Sequence, residues 1–208
     1  MDWGSMVKAL SDAIGEQAER LNALDSTLGD GDHGTSLAAG FTEAARRVAA
    51  IGDVPPADAM RMIGSALLNA MGGSSGALYG TLFLRAGHAA GEALDSSEAW
   101  ADALQAGLDG VRQRGGAQRG DKTMVDALEP AVAALATAAS SGQPVAQALA
   151  EAAIAARAGA EATAAMVARH GRAKFVGERA IGHADAGAQS VAVVFDALAR
   201  WWKENAHA

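Results

Sequence analysis

Alanine supplies 54 of the 208 residues, and this excess limits the fold more than any other feature of the chain. Alanine has the highest intrinsic helix propensity, and its methyl group lets neighbouring helix backbones approach closely. β-branched residues are scarce and no stretch alternates with the period of a strand, so the chain is expected to be all-α. Apolar residues recur every three or four positions, as in Val7, Leu10, Ile14, Ala18, Leu21 and Leu24, which is one helical stripe. The same reading gives eight helices. They run over Met6–Leu24, Gly34–Ile51, Ala57 to Gly72-Gly73, Ser75–Leu94, Ser97–Arg112, Lys122–Ser140, Pro144 to His170-Gly171, and Ala186–Trp202. Asp53-Val54-Pro55-Pro56 breaks the second from the third. The alanine-rich stretch Ala131–Ala165 keeps helical spacing through Leu135, Val145, Leu149, Ile154 and Met166, and reads as packed helix. No linker divides the chain. The expected architecture is one domain over 1–208, an antiparallel up-and-down bundle or barrel of eight helices.

Composition removes several functional classes. With no cysteine, a disulfide scaffold, a thiolate zinc site, an iron–sulfur cluster and a cysteine nucleophile are excluded. A net charge of −7 argues against general nucleic-acid binding, which needs clustered Lys and Arg. No run of about 18 uncharged apolar residues is present, so no membrane span is expected. Met1-Asp2-Trp3-Gly4 lacks the basic start and apolar stretch of a signal peptide, and a cytoplasmic location is the default.

Four loops interrupt the pattern and collect the unusual residues: Asp25–Gly34, Gly72–Gly76, Gly115–Thr123 and Gly171–Gly187. They follow the first, third, fifth and seventh helices. In an up-and-down arrangement odd-numbered connections share one end, so the four loops should meet at one rim and form a composite site.

The first loop carries Asp25, Asp30 and Asp32 within eight residues. Three bunched carboxylates repel one another unless cations or full solvent surround them. They are hard oxygen ligands suited to Mg²⁺, Mn²⁺ or Ca²⁺; by itself the loop also reads as a solvated acidic turn. It is not an EF-hand, because Gly34 takes the third ligand position after Asp30-x-Asp32 and no Glu closes the loop. Gly29-x-Gly31-x-x-Gly34 matches a dinucleotide fingerprint only formally, since a helix rather than a strand precedes it. Gly72-Gly73-Ser74-Ser75-Gly76 fails as a nucleophile elbow for the same reason. Gly115–Thr123 resembles a Walker A loop with one residue too many before Lys122 and no preceding strand.

The remaining features suit an anion beside the carboxylates. Ser74 and Ser75 open one helix and Gly34-Thr35-Ser36 another, and helix N-termini offer N–H groups to phosphate, although either could be a plain cap. Arg172, Lys174 and Arg179 place three cations in the last loop, and arginine is suited to fixed phosphate contacts. Met124 is either core or a cover for a flat base. Asp185 could accept from a ribose hydroxyl or cap the last helix, and His183 reads as a structural hydrogen-bonding histidine.

Taken together, Asp25–Gly34, Gly72–Gly76, Gly120-Asp121-Lys122-Thr123-Met124 and the run from Gly171-Arg172 through Gly177-Glu178-Arg179 to Gly182-His183-Ala184-Asp185 resemble the L subunit of bacterial dihydroxyacetone kinase, which also forms the C-terminal domain of single-chain ATP-dependent kinases. One departure stands in the last motif, where Asp185-Ala186-Gly187-Ala188 replaces Asp-Pro-Gly-Ala and loses the rigidity of the proline. The resemblance implies an eight-helix barrel with nucleotide at one rim. It implies that Asp25, Asp30 and Asp32 hold two Mg²⁺ ions bridging to the phosphates of ADP or ATP. It implies nucleotide contacts from His33, Gly34, Thr35, Ser36, Ser74, Ser75, Gly115, Met124, Arg172, Asp185, Ala186 and Gly187. It also implies a substrate ketose bound on a separate K subunit, and activity only in complex with it. A phosphohistidine-carrying M subunit of the phosphotransferase system would recharge the nucleotide. Other readings are the L half of a split ATP-dependent kinase for dihydroxyacetone or a small ketose such as erythrulose, a nucleotide-loaded module that docks on a transcription regulator, and a metal-stabilised helical protein without nucleotide.

Overall fold

The first helix shows how the chain builds its core: Trp3, Met6, Val7, Leu10, Ile14 and Leu21 fall on one face of it and are buried. A computed structural model describes residues 1–52, 54–91 and 93–205. Among the described residues there are eight α-helices and no strand: α1 (Trp3–Leu28), α2 (His33–Ile51), α3 (Pro56–Ala70), α4 (Gly73–Ala89), α5 (Ser97–Gly115), α6 (Val125–Ser140), α7 (Val145–Ala162) and α8 (Ala186–Asn205). Each helix packs on its neighbours in the chain and α8 returns to α1, so the eight close into a ring around a single core. Inside the ring Phe41 meets Tyr79 and Phe83 edge-on, at centroid separations of 6.3 and 6.1 Å. This geometry suits the aromatic quadrupole. The end of the ring away from the odd-numbered loops carries Trp100 packed against both Trp3 and Trp202, and the Trp201 indole N–H donates to Ser5 Oγ at 2.9 Å.

Helix boundaries differ from the sequence reading where side chains compete for backbone groups. α1 runs one turn further than the periodicity implies, through Leu28. Ser26 and Thr27 donate their hydroxyls to the carbonyls of Asn22 and Ala23, and Leu28 is buried with Ala168 and Ala180. Asp25 therefore stands on a helix rather than in a loop. α4 stops at Ala89 instead of Leu94: Leu94 folds back into the core, where its carbonyl accepts the Trp100 indole N–H at 3.0 Å. The part of this expected helix at Glu92, and Asp53 in the break after α2, lie outside the described residues. α6 starts at Val125 rather than Lys122, because the Asp126 carboxylate takes the N–H groups of Gly120 and Thr123 and holds the preceding residues in a turn. α7 ends at Ala162, well before His170, and short 3-10 turns follow at Thr163–Ala165, Arg172–Phe175 and Gly177–Ala180. No described helix is long and apolar enough to cross a membrane.

Close helix approach is tightest between α1 and α2. A Cβ on Gly34 would lie 2.0 Å from the Ala18 carbonyl oxygen, whereas one on the exposed Gly15 would meet nothing within 4 Å. The two glycines should respond oppositely to the same change. Gly34→Ala is expected to destabilise the fold by about 1–3 kcal/mol through overpacking. Gly15→Ala should stabilise it by about 0.5–1 kcal/mol by reducing unfolded-state entropy. Urea denaturation followed by circular dichroism reads both, and equal effects of the same sign would contradict this packing.

Candidate functional site

Closure of an even number of alternating helices brings the four odd connections to one rim, and the rim holds a cleft of about 630 Å³. Its walls come from all four loops, as the parity of the connections implies. Of the residues expected there, Asp25, Asp30, Asp32, His33, Ser36, Ser74, Ser75, Gly115, Met124, Arg172, Asp185, Ala186 and Gly187 line the cleft. Gly34 and Thr35 do not. Gly34 is buried against α1, and Thr35 exchanges two hydrogen bonds with the side chain of Asn22, at 3.0 and 2.7 Å. A cleft of this size is in the range of small-molecule sites. Its lining mixes apolar side chains, Leu24, Leu28, Leu78, Val111 and Met124, with polar ones.

The acidic turn is built around Asp25. Its Oδ2 accepts the N–H groups of Gly31 and Asp32 at 2.8 and 3.1 Å, which fixes the turn and aims it back at the helix end. Oxygens of Asp25, Asp30 and Asp32 then lie within 4.8 Å of one another. Repulsion within such a group is costly, and the described structure offsets it with one cation, the Arg172 guanidinium, which pairs with Asp30. Three hard carboxylate oxygens at this spacing suit a divalent cation. Asp32 precedes α2 without capping it, and no side chain caps α4 either, where Gly72 stands at the N-cap position. The first-turn N–H groups of α4 are thus left without side-chain partners at the edge of the cleft, a setting that favours anions, whereas in α2 the Thr35 N–H is taken by Asn22 Oδ1.

His33 is buried behind the acidic turn, and its protons can be assigned by counting. Ser190 Oγ donates its single hydrogen to the Gly187 carbonyl at 2.8 Å. Its contacts with Tyr79 Oη at 2.7 Å and His33 Nε2 at 2.9 Å are therefore accepted bonds. His33 carries its proton on Nε2, and Nδ1 accepts from Ser75 Oγ at 3.3 Å. Burial lowers the His33 pKa, opposed by the charges of Asp25 and Asp32. Burial raises that of Tyr79 and keeps the phenol a donor. A polar chain thus runs from the core through Ser190 and His33 to Ser75 at the cleft.

Asp185 caps α8, its Oδ2 accepting the Ala188 N–H at 2.7 Å, while its own N–H donates to Thr163 Oγ1 at 2.9 Å. This bond to Ala188 fixes the entry to α8 with alanine at position 186, where the resemblance would place a proline. Sequence reasoning missed the residues that support the rim: Tyr79, Asp121, Lys122, Asp126, Thr163 and Ser190. Asp121 accepts from the Gln118 N–H at 2.8 Å and His170 Nε2 at 3.2 Å, tying the third of these loops to the fourth. The formal signal for two of them was present, since Asp and Lys stand side by side in the Gly120–Met124 motif, but nothing in that motif tells a ligand from a support.

Burial pushes Asp185 up to about 6, with the Ala188 N–H and the Lys122 charge pulling it down and Asp126 and Asp25 pushing it further up. A carboxyl raised above its unfolded value stabilises the fold while protonated. Its contribution should be full below about pH 4 and lost as pH rises through about 6. Asp185→Asn, which keeps a cap acceptor, should remove this part of the stability–pH curve. Thermal melts from pH 4 to 7.5 in chelator without nucleotide test it, and identical pH dependence in the two proteins would refute the assignment.

The comparisons with known proteins agree with this geometry. The DAK2 domain model matches residues 27–200. The chain is 39% identical over 195 residues to the PEP-dependent dihydroxyacetone kinase ADP-binding subunit DhaL of Escherichia coli, covering 93% of this chain and 92% of that one. It is 36% identical over 197 residues to the L-erythrulose 1-kinase of Mycolicibacterium smegmatis, covering 93% of this chain but 34% of the longer enzyme. Among solved structures, the dihydroxyacetone kinase of Citrobacter freundii in complex with AMP-PNP and Mg²⁺ superposes with a TM-score of 0.75 at 34% identity, over 95% of this chain and 33% of that one. Matched by the domain model over most of its length and by a subunit of nearly its own size from end to end, the chain belongs to the DAK2 domain family, in its DhaL type.

Proposed function

We propose that this chain is the nucleotide-carrying subunit of a dihydroxyacetone kinase. It holds ADP or ATP with two Mg²⁺ at the rim and passes a phosphoryl group to dihydroxyacetone on a separate K subunit, with an M subunit of the phosphotransferase system restoring the charge. The observation that carries this reading is the convergence of Asp25, Asp30 and Asp32 in a cleft that also holds the uncapped N-terminus of α4 and apolar side chains. Magnesium held by these carboxylates would supply neutralisation of the phosphate oxygens, the main requirement of phosphoryl transfer. The chain's own groups account for the rest. Asp25 is oriented by its two backbone donors, so its carboxylate presents a fixed face to a cation. Arg172 offers a guanidinium to phosphate, and the free N–H groups of α4 lie beside Ser74 and Ser75. The apolar lining of Leu24, Leu28, Leu78, Val111 and Met124 would exclude water from a base.

The cleft opens at one rim of the ring, so a phosphoryl group carried there leaves toward whatever docks on that rim. That supports a reaction completed only in complex with the K subunit. A second reading follows from the longer relatives, in which a domain like this one makes up about a third of an enzyme: the chain as the L half of a split ATP-dependent kinase for dihydroxyacetone or erythrulose. Slow release of ADP favours the relay, and fast exchange for ATP favours the split kinase.

Small molecules released by heating purified protein, read by mass spectrometry, should include ADP or ATP; finding neither after purification in magnesium would sink the proposal. Mixed with a K subunit and dihydroxyacetone, the chain should support phosphorylation with either the phosphohistidine relay or ATP, which separates the two readings. Saturation with Mg²⁺ and ADP at 100 times Kd should raise stability by about 2.7 kcal/mol. Asp30→Ala should abolish that gain, and an undiminished rise in Tm would count against the metal assignment.

A further inference from the structure

Lys122 is the lysine that a phosphate-loop reading would send to the nucleotide, yet its side chain is only 1% exposed. Its Nζ donates to three backbone carbonyls, those of Thr163 at 2.7 Å, Ala180 at 2.9 Å and His183 at 2.5 Å. An ammonium has three N–H donors and no acceptor, so these three bonds use its full capacity and none is left for phosphate. The residue is also held at φ +61°, the one positive φ outside glycine among the described residues. A left-handed lysine is strained, and the Asp126 carboxylate maintains it by gripping the N–H groups of Gly120 and Thr123 on either side.

One of the three carbonyls lies at the start and two lie near the end of one segment, residues 163–185, which joins α7 to α8. This segment has little apolar support: the buried cluster beneath it consists of Leu28, Ala168 and Ala180. It carries Arg172, paired with Asp30, and Asp185, the cap of α8. Further polar ties run through Gly182 N–H to the Ala164 carbonyl at 2.7 Å and Arg169 N–H to the Asp121 carbonyl at 3.1 Å, and Lys122 ties both ends of the segment to the turn before α6.

We propose that Lys122 is a positioning residue: its ammonium acts as an internal cation that closes the 163–185 segment over the cleft and so sets Arg172 and the start of α8 for the nucleotide. The functional part rests on the nucleotide reading above; the closure itself does not. Without the ammonium three converging carbonyls lose their donor, and the segment opens. Burial lowers the Lys122 pKa, while the charges of Asp185 and Asp126 act the other way and favour the ammonium.

Lys122→Gly is the informative variant, because glycine accepts the positive φ and relieves the strain there. Amide hydrogen exchange of nucleotide-free protein should become at least about tenfold faster across 163–185, with α1 to α6 unchanged, since leaving buried carbonyls without a donor favours local opening. Added n-butylammonium, the missing side chain, should restore protection; n-butanol, which fills the space without charge, should not. Lys122→Met, which keeps the stem, should open the segment as Lys122→Gly does. Unchanged exchange in both variants, or equal rescue by butanol, overturns the proposal. The wild-type protein gives an independent measurement should a variant not fold. Amine-reactive labelling at Lys122 should be at least about a hundredfold slower than at exposed Lys8, as expected for a group reached only through local opening, and equal rates would also overturn it. Wild-type protein that shows the closure but no effect of Mg²⁺ and ADP would instead remove the nucleotide reading and leave the closure standing.

Discussion

Helix ring closure at close range is the constraint on which the rest of the molecule depends. Eight helices can surround one core only if their backbones approach closely, and alanine and glycine at the crossings permit this. Gly34 against Ala18 is the tightest of these approaches, and Gly64 and Gly80 meet in the same way between α3 and α4. Because the helices alternate in direction and their number is even, closure assigns the odd connections to one rim. The residues that line the cleft are far apart in sequence, and nothing local to any one loop could have gathered them.

What the rim can do is set by its charge. Asp25, Asp30 and Asp32 converge in a chain whose net charge is already −7, and Arg172 answers one of them. The surrounding structure is arranged to hold this repulsion. Two backbone N–H groups fix Asp25, and Asp32 makes no cap bond to α2, where Asn22 takes the Thr35 N–H instead. A carboxylate that declines the nearest helix dipole is poised for a stronger cation, and that draws the divalent ion and the phosphate into one proposal.

The sequence made the helices, the shared rim and the acidic cluster legible, because each rests on a local signal: periodicity, the parity of the connections and three aspartates in one turn. Boundaries were misplaced where side chains competed for backbone groups, as with Asp126 before α6 and Thr163 after α7. Lys122 reads as the start of the sixth helix, and its burial has no local signal, since the three carbonyls that satisfy it come from a segment more than forty residues away. The link from Tyr79 through Ser190 to His33 was hidden for the same reason, with 111 and 157 residues between the partners. Polar groups are buried at a cost that only their partners offset, and partners brought together by ring closure leave no periodicity behind.

The division of labour at the rim follows from this difference. Groups that are exposed or half-exposed and near neighbours in the chain (Asp25, Asp30 and Asp32) remain available to ligands. Groups that are buried and joined to distant parts of the chain (Lys122, Ser190 and Tyr79) are spent on the protein itself. Asp185 stands between the two sets, lining the cleft while holding the Ala188 N–H. That cap does locally what a proline at the first helical position would do by covalent geometry: both define the angle at which the chain enters α8. With alanine at 186 the entry rests on a hydrogen bond that responds to the protonation of Asp185. The same carboxylate feels the charges of Lys122 and Asp25, one in the internal closure and the other in the acidic turn, so the two halves of the rim are electrostatically joined at α8.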